Sequence, residues 1–278
     1  MIKRSLITIG ILAVVALAGL TINLYQNKQN LKRGKAPILI AALPRSGTIY
    51  MRNTLQRCFH CPITLCNEKL PFPNERIDKK KYERFVKKRA VDICHYPPSE
   101  DNICTIASKL DRLVLHVRDP RQCAVSLAYY LEQYIALPIS KDPELAYANL
   151  LAPIPDDYYK YSFEQKLDWI IENYVPNEIA WLAEWTRFID THDELDVMVT
   201  SYSDLHDHPV EFFRSILEFN GIDRSVFKAR YLRTVRPGRF HFRKGELEEW
   251  RRVLSPQQQE KVTAMIPDTY FKRFGWSR

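Results

Sequence analysis

The feature of this sequence that most constrains its fold is a short apolar run that ends in a tight turn. Residues 36–43 read APILIAAL, and Pro44 and Gly47 follow at once. An apolar run without polar alternation predicts a strand buried on both faces, as in parallel sheets. A helical pattern then extends from about Thr48 to Cys58. The segment therefore predicts a buried strand, a turn and a helix in direct succession.

Two further strand-then-helix units follow along the chain. RLVLHV (residues 112–117) leads into a helix that we expect to end near Tyr134, and DVMVTS (residues 196–201) leads into a helix over residues 209–219 that Gly221 closes. Strands that alternate with helices predict an α/β fold with a mainly parallel central sheet flanked by helices. In such sheets ligands bind at the carboxyl ends of the strands.

A longer helical segment, residues 163–190, lies between the last two units. Ser162 and Gln165 have the spacing of a capping box at its start. Pro176 predicts an interruption, because proline removes a backbone donor from the helix interior.

The N-terminal residues have the composition of a membrane anchor and a linker. Leu6–Leu24 contains no charged residue, and a helix of that length comes close to spanning the hydrocarbon core of a bilayer. A cleaved signal peptide is the alternative, because Ala16–Ala18 supplies small residues suited to cleavage. The apolar run continues past them and favours a retained single-pass transmembrane helix. We therefore divide the chain into an anchor with a basic linker, residues 1–35, and one domain, residues 36–278.

Cations flank this stretch on both sides. Lys3 and Arg4 precede it, and Lys28, Lys32 and Arg33 are among those that follow. Because an excess of cations marks the cytoplasmic flank of a membrane helix, the pattern favours a cytoplasmic domain over a lumenal one by a small margin.

Charge and cysteine content limit the classes of ligand. The chain has 41 basic and 33 acidic residues, a net charge of +8, which suits an anionic ligand, a nucleic acid or an acidic membrane surface. Cys58, Cys61 and Cys66 are spaced like part of a metal site, but no second pair follows at zinc spacing. No carboxylate cluster indicates a magnesium site, so we expect no metal.

The turn after the first apolar run has the features of an anion site. Pro44-Arg45-Ser46-Gly47-Thr48 opens directly into a helix, and backbone N–H groups at the start of a helix bind anions. It is not the G-x4-G-K-[ST] loop of P-loop kinases, because the first glycine and the final Lys-Ser/Thr pair are missing.

Two other groups of residues can hold phosphate. Arg118 directly follows RLVLHV, and Ser126 lies on the next predicted helix, so a guanidinium and a hydroxyl can approach one phosphate from two sides. Arg243, Lys244 and Gly245 add two cations and a glycine that lets the backbone approach an anion.

Four segments of this chain resemble motifs of the sulfotransferase superfamily and occur in the same order. They are P-R-S-G-T, V-R-D-P-R with Ser126, S-Y-S-D-L with Tyr202, and F-R-K-G with Trp250. The resemblance extends from about Ala36 to the C-terminus. It implies a P-loop-like sulfotransferase fold. It also implies transfer of a sulfuryl group from 3'-phosphoadenosine-5'-phosphosulfate (PAPS) to an acceptor hydroxyl or amine, with the 3',5'-bisphosphate (PAP) as product and no metal required.

The resemblance also implies a role for each matching residue. Arg45 would neutralise the 5'-phosphate oxygen as the sulfuryl group leaves, and Tyr202 would contact the nucleotide. Tyr50 lies where the family has an aromatic residue that stacks on adenine. The residues that would wrap the 5'-phosphosulfate are Ser46, Gly47 and Thr48. Those that would hold the 3'-phosphate are Arg118, Ser126, Arg243, Lys244 and Gly245.

Two residues compete for the role of the catalytic base. His95 leads, because D-I-C-H-Y-P resembles the histidine-x-proline segment of the family and a neutral imidazole suits proton removal near neutral pH. Glu68 is the alternative, since some membrane-bound members use a glutamate shortly after the first helix.

Three positions depart from the family pattern. Ile49 replaces a second hydroxyl residue in the turn, Ile93 stands where cytosolic members often carry a lysine, and Glu248–Glu249 replaces Gly-Asp.

A catalytically inactive, membrane-tethered protein that binds nucleotides or sulfated glycans is the alternative function, and the presence of Arg45 and His95 argues against it. We expect no nucleic-acid partner, and the sequence specifies neither the acceptor nor the oligomeric state.

The predicted anchor has a direct test. The full-length chain should stay with membranes after a high-salt or alkaline carbonate wash, because an apolar helix that spans a bilayer is held by burial rather than by charge. Release by carbonate, or a mature N-terminus beyond Ala18, would show a cleaved signal instead.

Overall fold

The computed structural model describes residues 36–68, 70–135, 154–155, 157–232 and 245–278. The predicted anchor and linker lie outside these residues, as do Arg243 and Lys244. Within the described part of the chain, no helix is both long and apolar enough to cross a bilayer.

Four parallel strands form the central sheet, in the order β2-β1-β3-β4. They are β1 (Ala36–Ala42), β2 (Arg89–Cys94), β3 (Arg112–Val117) and β4 (Asp196–Ser201). In the register of the sheet, Ala41 pairs with Cys94, Ala42 with His116, and Val117 with Ser201. The carboxyl ends of the strands therefore meet at one edge, and the predicted parallel sheet is confirmed.

Helices pack on both faces of this sheet. In chain order they are α1 (Thr48–Cys58), α2 (Lys79–Phe85), α3 (Glu100–Ala107), α4 (Pro120–Ile135), α5 (Phe163–Asn173), α6 (Val175–Thr191), α7 (Tyr202–Asp207), α8 (Pro209–Phe219), α9 (Trp250–Val253), α10 (Pro256–Met265) and α11 (Asp268–Phe274). Because side chains alternate along a strand, Ile38 and Ile40 pack with α1, α7 and α8. Leu39 and Ala41 face the other helices.

The predicted interruption in the segment 163–190 is confirmed as a boundary between two helices. Ser162 and Gln165 form the capping box that starts α5, which ends at Asn173. Pro176 lies in the first turn of α6, where a missing N–H has no helical partner to lose.

The six cysteines are free thiols, and only Cys104 is exposed. Within the described residues, no group of three or more histidine, cysteine, aspartate or glutamate side chains could hold a metal ion. The buried thiols act as small apolar groups; Cys123, for example, donates to the Pro44 carbonyl oxygen at 3.6 Å.

One carboxyl group in the core has no ordinary partner. Glu178 lies on α6 with its side chain fully buried, and neither carboxyl oxygen accepts a hydrogen bond. Burial raises the pKa of Glu178 well above its usual value, and the nearby Cys123 thiol and Arg118 guanidinium offset only part of that rise. Burial therefore favours the protonated, uncharged form of Glu178 in the folded chain.

We expect Glu178→Gln to stabilise the fold in a pH-dependent way. The folded pKa lies above the unfolded value of about 4.3, so the unfolded chain releases a proton that the folded chain keeps, and stability falls as pH rises above about 4.3. The variant should gain about 1 to 3 kcal/mol near pH 8 and little near pH 4 in urea unfolding.

Glu184→Gln, an exposed change on the same helix, is the control and should change stability at neither pH. An unaltered pH dependence in the Glu178 variant would contradict the buried, unpartnered state of this carboxyl group.

Candidate active site

The turn between β1 and α1 has a backbone conformation suited to an anion. Arg45 and Gly47 both have positive φ, 62° and 91°, and alternating left-handed residues orient successive N–H groups into a concave nest. A Cβ on Gly47 would lie 3.3 Å from side-chain atoms of Tyr202 and Leu205, so glycine is required. No side chain caps the start of α1, and its first N–H groups stay available.

Ser46 contributes backbone rather than side chain to this turn. Its residue is fully buried, and its hydroxyl donates to the Leu43 carbonyl oxygen at 2.6 Å. The Ser46 carbonyl oxygen lies 3.0 Å from His116 Nε2. Thr48, at the first position of α1, is half-buried.

Arg118 stands at the end of β3 and is held on three sides. Its guanidinium lies 3.9 Å from the centre of the Tyr202 ring, Nε donates to Gln122 at 3.2 Å, and Nη1 donates to the Arg45 carbonyl oxygen at 2.5 Å. Arg118 therefore holds the turn through the Arg45 carbonyl oxygen. Tyr202, at the start of α7, holds Arg118 in place through its ring.

Arg45 projects from the turn towards α4. Its guanidinium lies 4.2 Å from the centre of the Tyr130 ring, and Nε donates to Ser126 Oγ at 3.4 Å. Burial lowers the pKa of Arg45, and the neighbouring charge of Arg118 adds to that effect.

The two arginines have no compensating acid. Among the described residues, no carboxylate lies within 4.0 Å of the guanidinium of Arg45 or Arg118. Two close, partly buried cations repel each other until an anion binds between or beside them, so their arrangement favours a phosphate or sulfate ligand.

Arg121 ties the C-terminal segment to this edge of the sheet. It is fully buried, forms a 2.6 Å ion pair with Asp119 and lies 3.9 Å from the centre of the Trp250 ring. Trp250 follows Gly245, whose φ is 73°. The contact places Trp250 beside the start of α4, and Arg243 and Lys244 lie outside the described residues.

His95 follows β2 at the same edge, next to the turn. Its Nδ1 lies 2.6 Å from the Ala42 carbonyl oxygen, and a carbonyl can only accept, so Nδ1 carries the proton in the neutral ring. Nε2 is then the basic nitrogen. The His95 backbone N–H donates to Glu75 Oε2 at 2.7 Å, and Phe72 contacts the ring edge-on with centroids 6.2 Å apart.

The structure separates the two candidate bases. Glu68 is exposed and lines an open cleft with Arg76, Lys79 and Asp101, and no contact joins it to the turn or to His95. Glu75, a buried carboxylate, lies against His95 instead. No spacing or motif in the sequence marks Glu75, because the loop between α1 and α2 determines which glutamate turns inward.

Tyr50 lies on α1 within an aromatic group on one side of the turn. Its ring is tilted against Phe213 of α8 at a centroid distance of 6.2 Å, and Phe213 stacks on Phe227 at 5.5 Å. The structure thus brings Arg45, Gly47, Thr48, Tyr50, His95, Arg118, Ser126 and Tyr202 to one edge of the sheet.

The fold of this chain is similar to that of several solved structures. A solved structure of mouse sulfotransferase SULT7A1 complexed with PAP is similar, with 18% identity, a TM-score of 0.54, and coverage of 83% of this chain and 82% of that one. Retinol dehydratase in complex with androsterone and inactive cofactor PAP has 14% identity, a TM-score of 0.51, and coverage of 84% and 80%. A search of curated protein sequences found no significant match.

These structural likenesses show a shared fold. The family comparison goes further, because the model of the sulfotransferase domain matches residues 35–274, nearly the whole of the described domain. The chain belongs to the sulfotransferase domain family.

Proposed function

We propose that this protein transfers a sulfuryl group from PAPS to a hydroxyl or amine of an acceptor. The observation that carries the proposal is the joint position of two uncompensated arginines, Arg45 and Arg118, and the basic Nε2 of His95 around one anion-binding turn. The similar structures of SULT7A1 and retinol dehydratase contain PAP, which supports the same nucleotide as product here.

The donor would lie along the carboxyl edge of the sheet. The backbone of Ser46 and Gly47 and the first turn of α1 would hold the 5'-phosphosulfate, since these groups offer N–H donors. Arg118, supported by Tyr202, would hold the 3'-phosphate together with Ser126. Arg243, Lys244 and Gly245 would complete that subsite, and Tyr50 would stack on adenine.

The chemistry assigned to these residues is an in-line displacement at sulfur. The acceptor oxygen or nitrogen forms a bond to sulfur as the bond between sulfur and the 5'-phosphate oxygen breaks. Arg45 stabilises the charge that develops on the departing phosphate, because a fixed cation in a partly buried site needs no reorganisation. His95 Nε2 takes the acceptor proton, while the Ala42 carbonyl holds the ring in position.

Residues 1–35 would tether this domain to a membrane, with the domain on the cytoplasmic side. The domain begins at Ala36, whose N–H donates to the Lys88 carbonyl oxygen at 3.3 Å. This contact lies at the amino edge of the sheet, so a tether before Ala36 would join the domain on the side away from the site.

The proposed base can be tested by sulfuryl transfer from PAPS to a panel of phenols, alcohols and amines. His95→Ala should lower turnover by about two to four orders of magnitude, as expected for loss of a general base. Its affinity for PAP should stay close to wild type, since none of the assigned phosphate contacts involves the imidazole. Glu68→Gln should have a modest effect, because Glu68 lies in a separate cleft.

His192→Ala is a matched control, since His192 is exposed and precedes the amino end of β4. An inactive Glu68→Gln beside an active His95→Ala would assign the base to Glu68. Loss of PAP binding in His95→Ala would make His95 structural. A wild-type chain that binds PAP and transfers sulfuryl to none of the acceptors would favour the inactive, nucleotide-binding alternative.

A further inference from the structure

A histidine that the proposed chemistry does not use lies beneath the anion-binding turn. His116 is the fifth residue of β3, two positions before Arg118, and its side chain is fully buried. Both ring nitrogens have partners: Nε2 lies 3.0 Å from the Ser46 carbonyl oxygen and Nδ1 lies 3.0 Å from Thr200 Oγ1. The ring therefore connects the turn after β1 to β4.

These partners determine the tautomer. A carbonyl oxygen can only accept, so Nε2 carries the hydrogen and donates to Ser46. Nδ1 is then a lone-pair acceptor, so the Thr200 hydroxyl donates to it at 3.0 Å rather than to the Leu115 carbonyl oxygen at 3.3 Å. Burial lowers the pKa of His116 to about 4, so the ring is neutral at physiological pH and keeps this single arrangement.

The bond to Ser46 fixes the direction of one peptide group. In a planar trans peptide the C=O and N–H point in opposite directions. The Ser46 carbonyl points towards His116. The Gly47 N–H of the same peptide group therefore points in the opposite direction, away from His116 and out of the turn. The Ser46 hydroxyl, bonded to the Leu43 carbonyl oxygen, holds the same residue from a second side.

The conformation that results is one the chain would otherwise avoid. Arg45 has a φ of 62°, a left-handed conformation that residues other than glycine rarely adopt. Arg118 holds the carbonyl of Arg45 and His116 holds the carbonyl of Ser46. An apolar residue at position 116 would suit the buried strand RLVLHV but would leave the second carbonyl without a donor.

We propose that His116 is a positioning residue that preorganises the turn for the 5'-phosphate of the nucleotide. It acts through Ser46 and does not itself touch the ligand. The Thr200 hydroxyl completes the hydrogen bonds of the ring, and β4 continues into Tyr202, which supports Arg118. β3 and β4, which pair with each other, thus shape the donor site together. This inference rests on the proposed function, which assigns the turn to the 5'-phosphate.

The test separates the 5'-phosphate from the rest of the nucleotide. PAP and adenosine 3'-monophosphate differ only in the 5'-phosphate, so the ratio of their affinities, measured by calorimetry with the full chain, reports on the turn. His116→Leu removes the donor and should lower this ratio by about tenfold to a hundredfold, the effect of one lost hydrogen bond to a buried group. His116→Gln keeps an N–H donor and should restore the ratio to within about threefold.

Phe212→Leu is the control for damage to the core. Phe212 packs edge-on against the His116 ring with centroids 5.5 Å apart, so this variant loosens the same position while keeping the bond to Ser46. It should lower the melting temperature and leave the affinity ratio unchanged. An unchanged ratio in His116→Leu, or an equal fall in Phe212→Leu, would overturn the proposal.

Inorganic pyrophosphate is a second probe that does not depend on the nucleotide. If wild type binds pyrophosphate but not PAP, the donor assignment fails, and the comparison of His116→Leu with His116→Gln still decides the role of His116. If wild type binds neither ligand, the turn is not an anion site and both proposals fall.

Discussion

The parallel register of the sheet is the constraint on which the site depends. Pairing of β1 with β2 and β3 places Ala42 beside both His95 and His116. Three segments that are far apart in sequence therefore end at one edge, where helix dipoles and free N–H groups gather. A shift of one residue in either pairing would turn every side chain to the opposite face and dismantle the site.

Repulsion between the guanidinium groups of Arg45 and Arg118 also determines what the site can bind. The charge of Arg118 is near enough to lower the pKa of Arg45, and among the described residues no carboxylate forms an ion pair with either guanidinium. Keeping such a pair costs stability in the free protein. That cost is offset when a polyanion binds, and a preorganised site of this kind does not have to rearrange as charge develops in the reaction.

The sequence predicts these strands well, because each strand depends on a pattern of neighbouring residues. The runs at residues 112–117 and 196–201 correspond to β3 and β4 at both ends. β3 is buried on both faces, whereas β4 is last in the strand order and is partly exposed. The turn after β1 and the position of Arg118 are also predicted from local sequence patterns. An anion site at the strand ends needs a glycine and a cation, and both can be recognised directly after an apolar run.

The residues that the sequence did not reveal depend on contacts between distant segments. The position of Glu75 is set by a loop for which the sequence has no recognisable pattern. His116 is a polar residue in an apolar strand, and nothing in the local sequence indicates its partners. The Ser46 hydroxyl donates to the Leu43 carbonyl oxygen, so Ser46 can offer a ligand its backbone but not its hydroxyl hydrogen. In each case the side chain's partner is fixed by tertiary packing, which a local pattern does not contain.

The central claim is that this edge binds a nucleotide with a 3'-phosphate. Calorimetric titration of the full chain with PAP and with adenosine 5'-monophosphate tests it most directly, because the two ligands differ only in that phosphate. Charged hydrogen bonds to the 3'-phosphate should make PAP bind at least about a hundredfold more tightly. Equal affinities for the two nucleotides, or no binding of PAP, would contradict the account.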